Sequence, residues 1–359
     1  MAAQTFALVT GRINAMKGEI LAHATPRECL QRVGRQILMP KNMSDTYIAR
    51  RFLPYGGTST NANTINRFFA DGTGNRANTT AQAHQVQEGV TPNPDSLTAV
   101  DTTVVINQYA ALYGYSDKTG YLYEDDIPAE MMKQLGERMA LVNEQIVYGA
   151  LQSCTNVFYG GSGTSIATVN GGLTINLVRR VVRGLQANHA KMINRVLRPS
   201  DQYGTDAVEP GYNVYIHTNL EADVRDIPGF IPISNYASGK SMEYEVGKVE
   251  RFRFIASPDF PELQDAGATV ASTSSQYVST SDSNIDVYPV IVAGQDAWSQ
   301  ISVRGLNGLE PRHLPPSQID KADILGQRGY VGAIWWKAVL IENNGWMALL
   351  YVASKELPS

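Results

Sequence analysis

The side chains of this chain best suited to metal or proton chemistry are its five histidines, His23, His84, His189, His217 and His313. They are scattered, none has a ligand-type partner at metal spacing, and neither an HExxH motif nor paired CxxC motifs occur. Gly72-Thr-Gly-Asn and Gly160-Gly-Ser-Gly are glycine-rich. Without the lysine of a phosphate loop or a strand–turn–helix setting, they read as turns. No GxSxG nucleophile elbow is present. Glu124-Asp125-Asp126 clusters three carboxylates that could do acid/base work, but capping of the helix that follows accounts for them. Cys154 closes an apolar helical stripe, the place of a buried structural thiol. Trp298, Trp335, Trp336 and Trp346 could stack on sugars or bases, yet in strand-like runs such rings fill a core. The expectation is no catalytic set, no metal and no cofactor. The chain does not read as an enzyme.

Whatever these residues do must therefore follow from surfaces. The 359 residues are enough for two subdomains with ample core. Only 18 % are charged, against a typical ~25 %. Exposed neutral surface invites association, and covering it with further copies of the same chain resolves the conflict. A net charge of −4 argues against a dedicated nucleic-acid binder. The charge is uneven, however. Residues 1–54 carry eight basic and three acidic residues, residues 175–200 six basic and none acidic, and residues 124–144 six acids against Lys133 and Arg138. Such blocks suit complementary patches on neighbouring subunits or a weakly basic face toward DNA. The two cysteines imply no disulfide framework. With no signal peptide and no apolar run near the ~20 residues of a membrane helix, the expectation is synthesis in a cytoplasm.

The elements that must carry these surfaces are legible in part. Residues 1–40 read as an arm with short helices, and residues 44–54 turn strand-like. Residues 54–100 hold eight Thr, six Asn and five Gly but five charged residues and no lysine. Ordering such a stretch costs roughly 1–2 kcal/mol per residue in backbone entropy. Its few large apolar residues, Ile65, Phe68, Phe69, Val86, Val90 and Leu97, do not offset that. Strand-like runs on both sides favour a long hairpin ordered against another subunit. Ile127, Met131, Leu135, Met139, Val142, Ile146 and Ala150 then recur at helical spacing. Asp125 and Asp126 serve as cap residues, and a helix over 127–154 would be about 42 Å long. A second helix starts at Thr174 with Leu177, Val181 and Leu185 as its apolar face. Further on come a strand over 212–217, a short helix over 219–226, a strand over 249–255, a Ser/Thr-rich insert over 266–284 and a strand over 287–293. Two apolar runs separated by Glu342-Asn343-Asn344-Gly345 close the chain as a hairpin.

Three stretches carry a resemblance: Leu141-Val-Asn-Glu-Gln-Ile-Val-Tyr-Gly-Ala-Leu, Val249-Glu-Arg-Phe-Arg-Phe-Ile-Ala-Ser-Pro, and Asp323-Ile-Leu-Gly-Gln-Arg-Gly-Tyr-Val-Gly through Trp346-Met-Ala. With the order arm, polar hairpin, long helix, mixed region and closing strands, the chain resembles the tailed-bacteriophage major capsid proteins, podophage type, with the Hong Kong 97-type fold. The resemblance implies an α+β fold and a division into an N-terminal arm (1–45), an extended loop with flanking strands (46–120), a peripheral domain with its spine helix (121–205), an axial domain (206–340), and a closing strand and tail (341–359).

The function it implies is self-assembly into the pentamers and hexamers of an icosahedral head enclosing double-stranded DNA. Scaffold, portal and cement proteins would be further partners, with only non-specific DNA contact and no membrane. The site would be the virion, assembled in the host bacterial cytoplasm. Inter-subunit contacts are expected at Arg50, Arg51, Phe68, Phe69, Arg76, Glu130, Glu137, Arg179 and Arg183, with Glu144 a further acidic partner for a neighbour's basic run. Some relatives weld their shells through a loop lysine, and the lack of lysine in 54–100 implies a non-covalent shell here. Competing readings are a nanocompartment shell of the same fold and a carbohydrate-binding or hydrolytic surface protein.

Overall fold

Strands and helices of this chain follow its hydrophobic periodicity closely, and a computed structural model shows how they are joined. It describes residues 27–31, 33–42, 44–53, 85–91, 97, 99–123, 126–197, 205–236, 241–270, 277–303, 311–317 and 323–357. In chain order come β1 (Arg35–Met39), β2 (Thr46–Phe52), β3 (Ala99–Val105), β4 (Asn107–Ser116), α1 (Asp117–Leu122) and α2 (Ile127–Leu151). They are followed by β5 (Val157–Tyr159), α3 (Ile175–Ala187), β6 (Ile193–Leu197), β7 (Thr205–His217) and α4 (Glu221–Arg225). Next are β8 (Ile231–Pro232), β9 (Glu245–Val249), β10 (Phe252–Ser257) and β11 (Val287–Ala293). The last are β12 (Trp298–Val303), β13 (Arg312–Leu314), β14 (Arg328–Ile341) and β15 (Met347–Ala353).

The chain divides into two compact units. One comprises Met1–Asp45, Val105–Ala150 and Gln300–Val339; the other comprises Thr46–Val104, Leu151–Ser299 and Leu340–Ser359. In the first, β14 runs antiparallel to β4 from Arg328↔Ser116 to Lys337↔Asn107, and β13 pairs with its other edge near Tyr330. The order β1-β12-β14-β13, with β4 beside β14, makes five strands. Alternation puts Ala111, Tyr115, Val331, Ala333 and Trp335 on one face, where Met131 and Leu135 of α2 are buried against them, flanked by Ile127, Met139 and Val142. The helical stripe of the sequence is this contact. Asp126 caps it: its Oδ1 accepts from Ala129 N at 3.3 Å. The helix ends at Leu151 rather than at 154, a rod of about 37 Å at 1.5 Å per residue. Cys154 lies beyond the last turn, donating its amide to Leu151 O at 3.2 Å.

In the second unit, eight strands form one sheet in the order β5-β15-β11-β7-β10-β9-β8, with β6 on β7. β7 is central, parallel to β10 and antiparallel to β11. Leu177, Val178, Val181, Val182 and Leu185 of α3 pack on Tyr212, Val214, Ile216, Phe252, Phe254, Tyr288, Val290, Val292, Leu350 and Val352. Thr174 caps α3, its Oγ1 accepting from Leu177 N at 3.4 Å. Replacing Thr174 by alanine should cost about 1 kcal/mol, read as a lower urea midpoint with an unchanged slope. An unchanged midpoint would mean that the cap does nothing.

Three further expectations are corrected. Residues 35–39, read as part of an arm with short helices, form the strand β1. The strand expected over 249–255 is two strands, β9 and β10, because Glu250 takes φ 51° and turns the chain between them. The closing pair is not a hairpin. β14 belongs to the five-stranded sheet and β15 to the eight-stranded one, between β11 and β5. Every residue of β15 is buried, as a strand with neighbours on both edges and cover on both faces requires. The Asn343–Trp346 turn, with Asn343 Oδ1 accepting from Gly345 N at 3.0 Å, is the point where the chain changes sheets.

Candidate functional site

The most heavily invested polar site of the first unit grips the arm. Within the apolar stripe of α2 sit two buried polar residues, Asn143 and Glu144. Glu144 Oε1 accepts from the backbone N–H of Cys29 at 2.9 Å and of Leu30 at 2.6 Å, and Oε2 from Gln31 N at 3.3 Å. Gln31 Nε2 donates to Ala140 O at 3.0 Å. From β12, buried Gln300 donates Nε2 to Leu30 O at 3.3 Å and Gln31 O at 3.0 Å. From β14, Lys337 Nζ reaches Gln31 Oε1 at 3.5 Å, and Trp335 Nε1 donates to Asn143 Oδ1 at 3.0 Å. Residues 29–31 form no strand, so their backbone groups have no ladder; side chains from α2 and β12 bond to them instead.

The electrostatics fit a holding site and no reaction. Burial pushes the Glu144 carboxyl up, against the pull of three backbone N–H donors. Three backbone donors take up most of its acceptor capacity. Burial also lowers Lys337 to about 8, with Glu144 and Glu28 opposing the shift. In the unfolded chain a lysine titrates near 10.4. Between those values the unfolded state holds the proton and the folded state does not, so stability rises with pH across about 8 to 10.4 and is lost as pH falls through 8. Relative to Lys337→Met, the wild type should gain about 3 kcal/mol over that window. Denaturant titrations at pH 7.5 and 10 measure this; parallel pH dependence in the two proteins would refute it. A cleft of about 380 Å³ opens beside the site, lined by Gln31, Leu38, Met139, Asn143, Trp335 and Trp336 among others.

This overturns the expected role of Glu144. It is buried and bound to the arm of its own chain, and so is not presented to a neighbour's basic run. The signal was present: Asn143-Glu144 falls inside the apolar stripe, where a polar pair implies buried partners.

The other expected contact residues are placed as follows. Arg50 on β2 makes a bidentate ion pair with Asp101 on β3, both bonds 2.8 Å. Its neighbour Arg51 is half-buried and shifted down by desolvation, with Glu342 opposing. Glu130 and Glu137 are half-buried on α2. On α3, Arg179 is tied within the chain to Glu250 at 2.7 Å, and Arg183 is exposed. Phe68, Phe69 and Arg76 lie outside the described residues, as do most of 54–100 and residues 1–26. The structure thus brings Arg50 together with Asp101 and Arg179 with Glu250.

Among the described residues, the other chemistry-bearing side chains hold structure; His23, His84 and Gly72–Gly74 lie outside them. His217 Nδ1 accepts from Asn219 N at 3.0 Å, and burial lowers its pKa. His313 Nε2 shares a 2.7 Å hydrogen bond with Tyr115 OH. Burial pushes the Cys154 thiol up, as suits an inert group. At Gly160 an added Cβ would lie 2.2 Å from Gly171 O. The glycines there allow two backbones to touch and cradle no phosphate. Trp298 and Trp335 are buried, and Trp336 is half-buried.

What sequence reading missed is exposure. The face of the five-stranded sheet opposite α2 carries Leu112 and Ile334, both exposed, with Ala110, Tyr330 and Trp336 in register beside them. An antiparallel sheet facing water normally alternates to polar residues. Here the middle of that face is apolar instead, between Gln108 at one end and Ser116 with Arg328 at the other, an exposed apolar patch of the kind that often marks a contact surface.

A family model described as "Phage capsid protein" matches residues 99–333. The major capsid protein of Pseudomonas phage KPP21 is 21 % identical over 240 residues, covering 63 % of this chain and 59 % of that relative. The chain thus spans about three-fifths of the length of the curated relative it matches. Among solved structures, the capsid of Ralstonia phage GP4 superposes over 100 % of both chains with a TM-score of 0.63 at 10 % identity. The capsid of cyanophage Pam1 covers 99 % of both with 0.61 at 12 % identity. These likenesses establish a mixed helix and sheet fold of the capsid type, in keeping with the α+β expectation. The chain belongs to the phage capsid protein family.

Proposed function

We propose that this chain is the major capsid protein of a tailed phage head, of the podophage type, which assembles with copies of itself into pentamers and hexamers of an icosahedral shell around double-stranded DNA. The observation that carries the reading is the end-to-end superposition on capsid subunits from two other phages. Supporting it, the five-stranded sheet has one face filled by α2 and an apolar opposite face, as a subunit needs if its cover comes from neighbours. In this reading the unit built on α2 is the peripheral domain, α2 its spine, and the eight-stranded sheet the frame of the axial domain. The paired β2 and β3 lead into the extended loop. Arg50, Arg51, Phe68, Phe69, Arg76, Glu130, Glu137, Arg179 and Arg183 are the contact residues proposed. Scaffold, portal and cement proteins are the further partners, and DNA contact is loose. The virion is the final site, reached from the host cytoplasm.

Overexpressed full chain, imaged by negative stain, should form closed shells or capsomer rings. Only solitary compact molecules at high concentration would sink the reading. The shell is proposed to be non-covalent: denaturing electrophoresis of particles should show single chains, and ladders would refute that part alone.

A further inference from the structure

Lys337 is a buried cation with few partners. β14 carries it, two residues beyond Trp335, onto the sheet face covered by α2, where it is only 8 % exposed. An ammonium has three N–H donors. Among the described residues one of them is engaged, to Gln31 Oε1 at a long 3.5 Å, and Lys337 forms no ion pair. Glu144 and Glu28 act on it through space, but the Glu144 oxygens are turned to the amides of residues 29–31. Taking such a charge out of water is costly unless a counter-charge and hydrogen bonds replace the hydration.

The side chain does not end in closed core. It lines the cleft of about 380 Å³ beside the arm socket, a volume in the range of small-molecule sites. Leu38, Met139 and Trp335 give the cleft apolar walls, and Asn143 adds an amide. Asn143 Oδ1 already takes the Trp335 Nε1–H at 3.0 Å, so the groups that Asn143 has left are the two N–H donors of Nδ2. Lys337 and Asn143 therefore offer donors, one of them charged, beside hydrocarbon and an indole ring. The polar lining contributed by β1 and β12 is neutral. A carboxylate on a small apolar body matches this set, because its head only accepts and its body covers the walls. Phosphate fits worse: it would bring up to two charges to one lysine near Glu144 and Glu28, and leave the apolar walls bare.

We propose that this cleft binds a small monocarboxylate with an apolar or aromatic body, its carboxylate pairing with Lys337 Nζ and accepting from Asn143 Nδ2, its body lying against Leu38, Met139 and Trp335. The site lies within one chain, and the proposal stands whether or not copies of the chain form a shell. Its pH dependence has a definite sign. Burial holds the Lys337 amine down to about 8. Below that pH the amine is charged and pairs with the ligand. As pH rises through 8 the charge is lost, and affinity falls with it.

The test is calorimetric titration of the full chain at pH 7 with 3-phenylpropionate, which should saturate one site per chain. 3-Phenylpropanamide, with the same body and an uncharged head, should bind at least tenfold more weakly, as should acetate and inorganic phosphate. Lys337→Met removes a buried charge and so keeps the fold; it should lose at least tenfold in affinity for the acid. Lys41→Met, at an exposed lysine of the same unit, should bind like wild type. From pH 8 to 9.5 wild-type affinity should fall about tenfold. No saturation at millimolar acid overturns the proposal, as does equal binding of acid and amide, or equal binding by wild type and K337M. Phosphate binding as tightly as the acid would overturn the ligand class. Because binding is read on the chain itself, its failure leaves the shell reading untouched, and failure to form shells leaves this test intact.

Discussion

Replacing Glu144 by alanine should lower stability by about 3–5 kcal/mol, the usual cost of breaking a buried, hydrogen-bonded charge site from one side. The substitution strips partners from the amides of Cys29, Leu30 and Gln31 at once. It also leaves Lys337 buried without the opposing charge that now offsets part of its desolvation. In thermal terms the loss is on the order of 10 °C. Hydrogen exchange should localise it: the amides of residues 29–31 lose protection, whereas those of α3 in the other unit keep theirs. Glu144→Gln retains the shape and one carbonyl acceptor, so it should cost less. Adding Lys337→Met to the Gln variant should recover part of the loss, because the uncompensated cation is then gone; a double-mutant cycle measures that coupling. An unchanged melting temperature in the alanine variant, with residues 29–31 still protected, would show that the arm is held by something else.

Trp335→Ala should be comparably damaging, about 3–5 kcal/mol for the lost ring alone. Trp335 is buried on the face covered by α2 and stacks on Tyr109 with ring centroids 6.1 Å apart. Its Nε1 is also the donor that satisfies buried Asn143 Oδ1. Trp335→Phe separates the two roles: it keeps an aromatic ring but leaves the Asn143 oxygen unpaired, at about 1–3 kcal/mol. Urea titrations should therefore rank wild type above the Phe variant and the Phe variant above the Ala variant. If the Phe and Ala variants lost the same amount, packing would contribute nothing beyond the hydrogen bond. If both matched wild type, the helix-to-sheet contact would not limit stability. Both large predictions converge on α2, one on its own Glu144 and one on the β14 ring packed against it, because apolar packing and the hold on residues 29–31 share that surface.

Reading from residues alone worked where one element's own pattern is sufficient. The stripe from Ile127 to Val142 and its Asp126 cap specify a helix and its buried face. Thr174 with Leu177, Val181 and Leu185 specifies another. Reading failed where a side chain's role is set by something distant in sequence. Glu144 was expected on an outer surface because charge usually stays in water. Its partners lie 113 to 115 residues upstream, and no local pattern encodes them. The Glu342–Gly345 turn carries hairpin chemistry, yet whether the following strand pairs with the preceding one depends on which other strands compete for its edges.

The sequence by itself determined the two main helices and several of the extended segments, the absence of a recognisable reactive motif, and the resemblance through which the capsid family was expected. These are matters of residue type and short-range periodicity, where φ/ψ preference and one amphipathic face suffice. Only the tertiary structure decided that β14 and β15 lie in different sheets and that Asn143 and Glu144 form a socket around residues 29–31. Each of those depends on backbone hydrogen bonds and burial contributed by residues far apart along the chain, and such contributions exist only once the chain has folded.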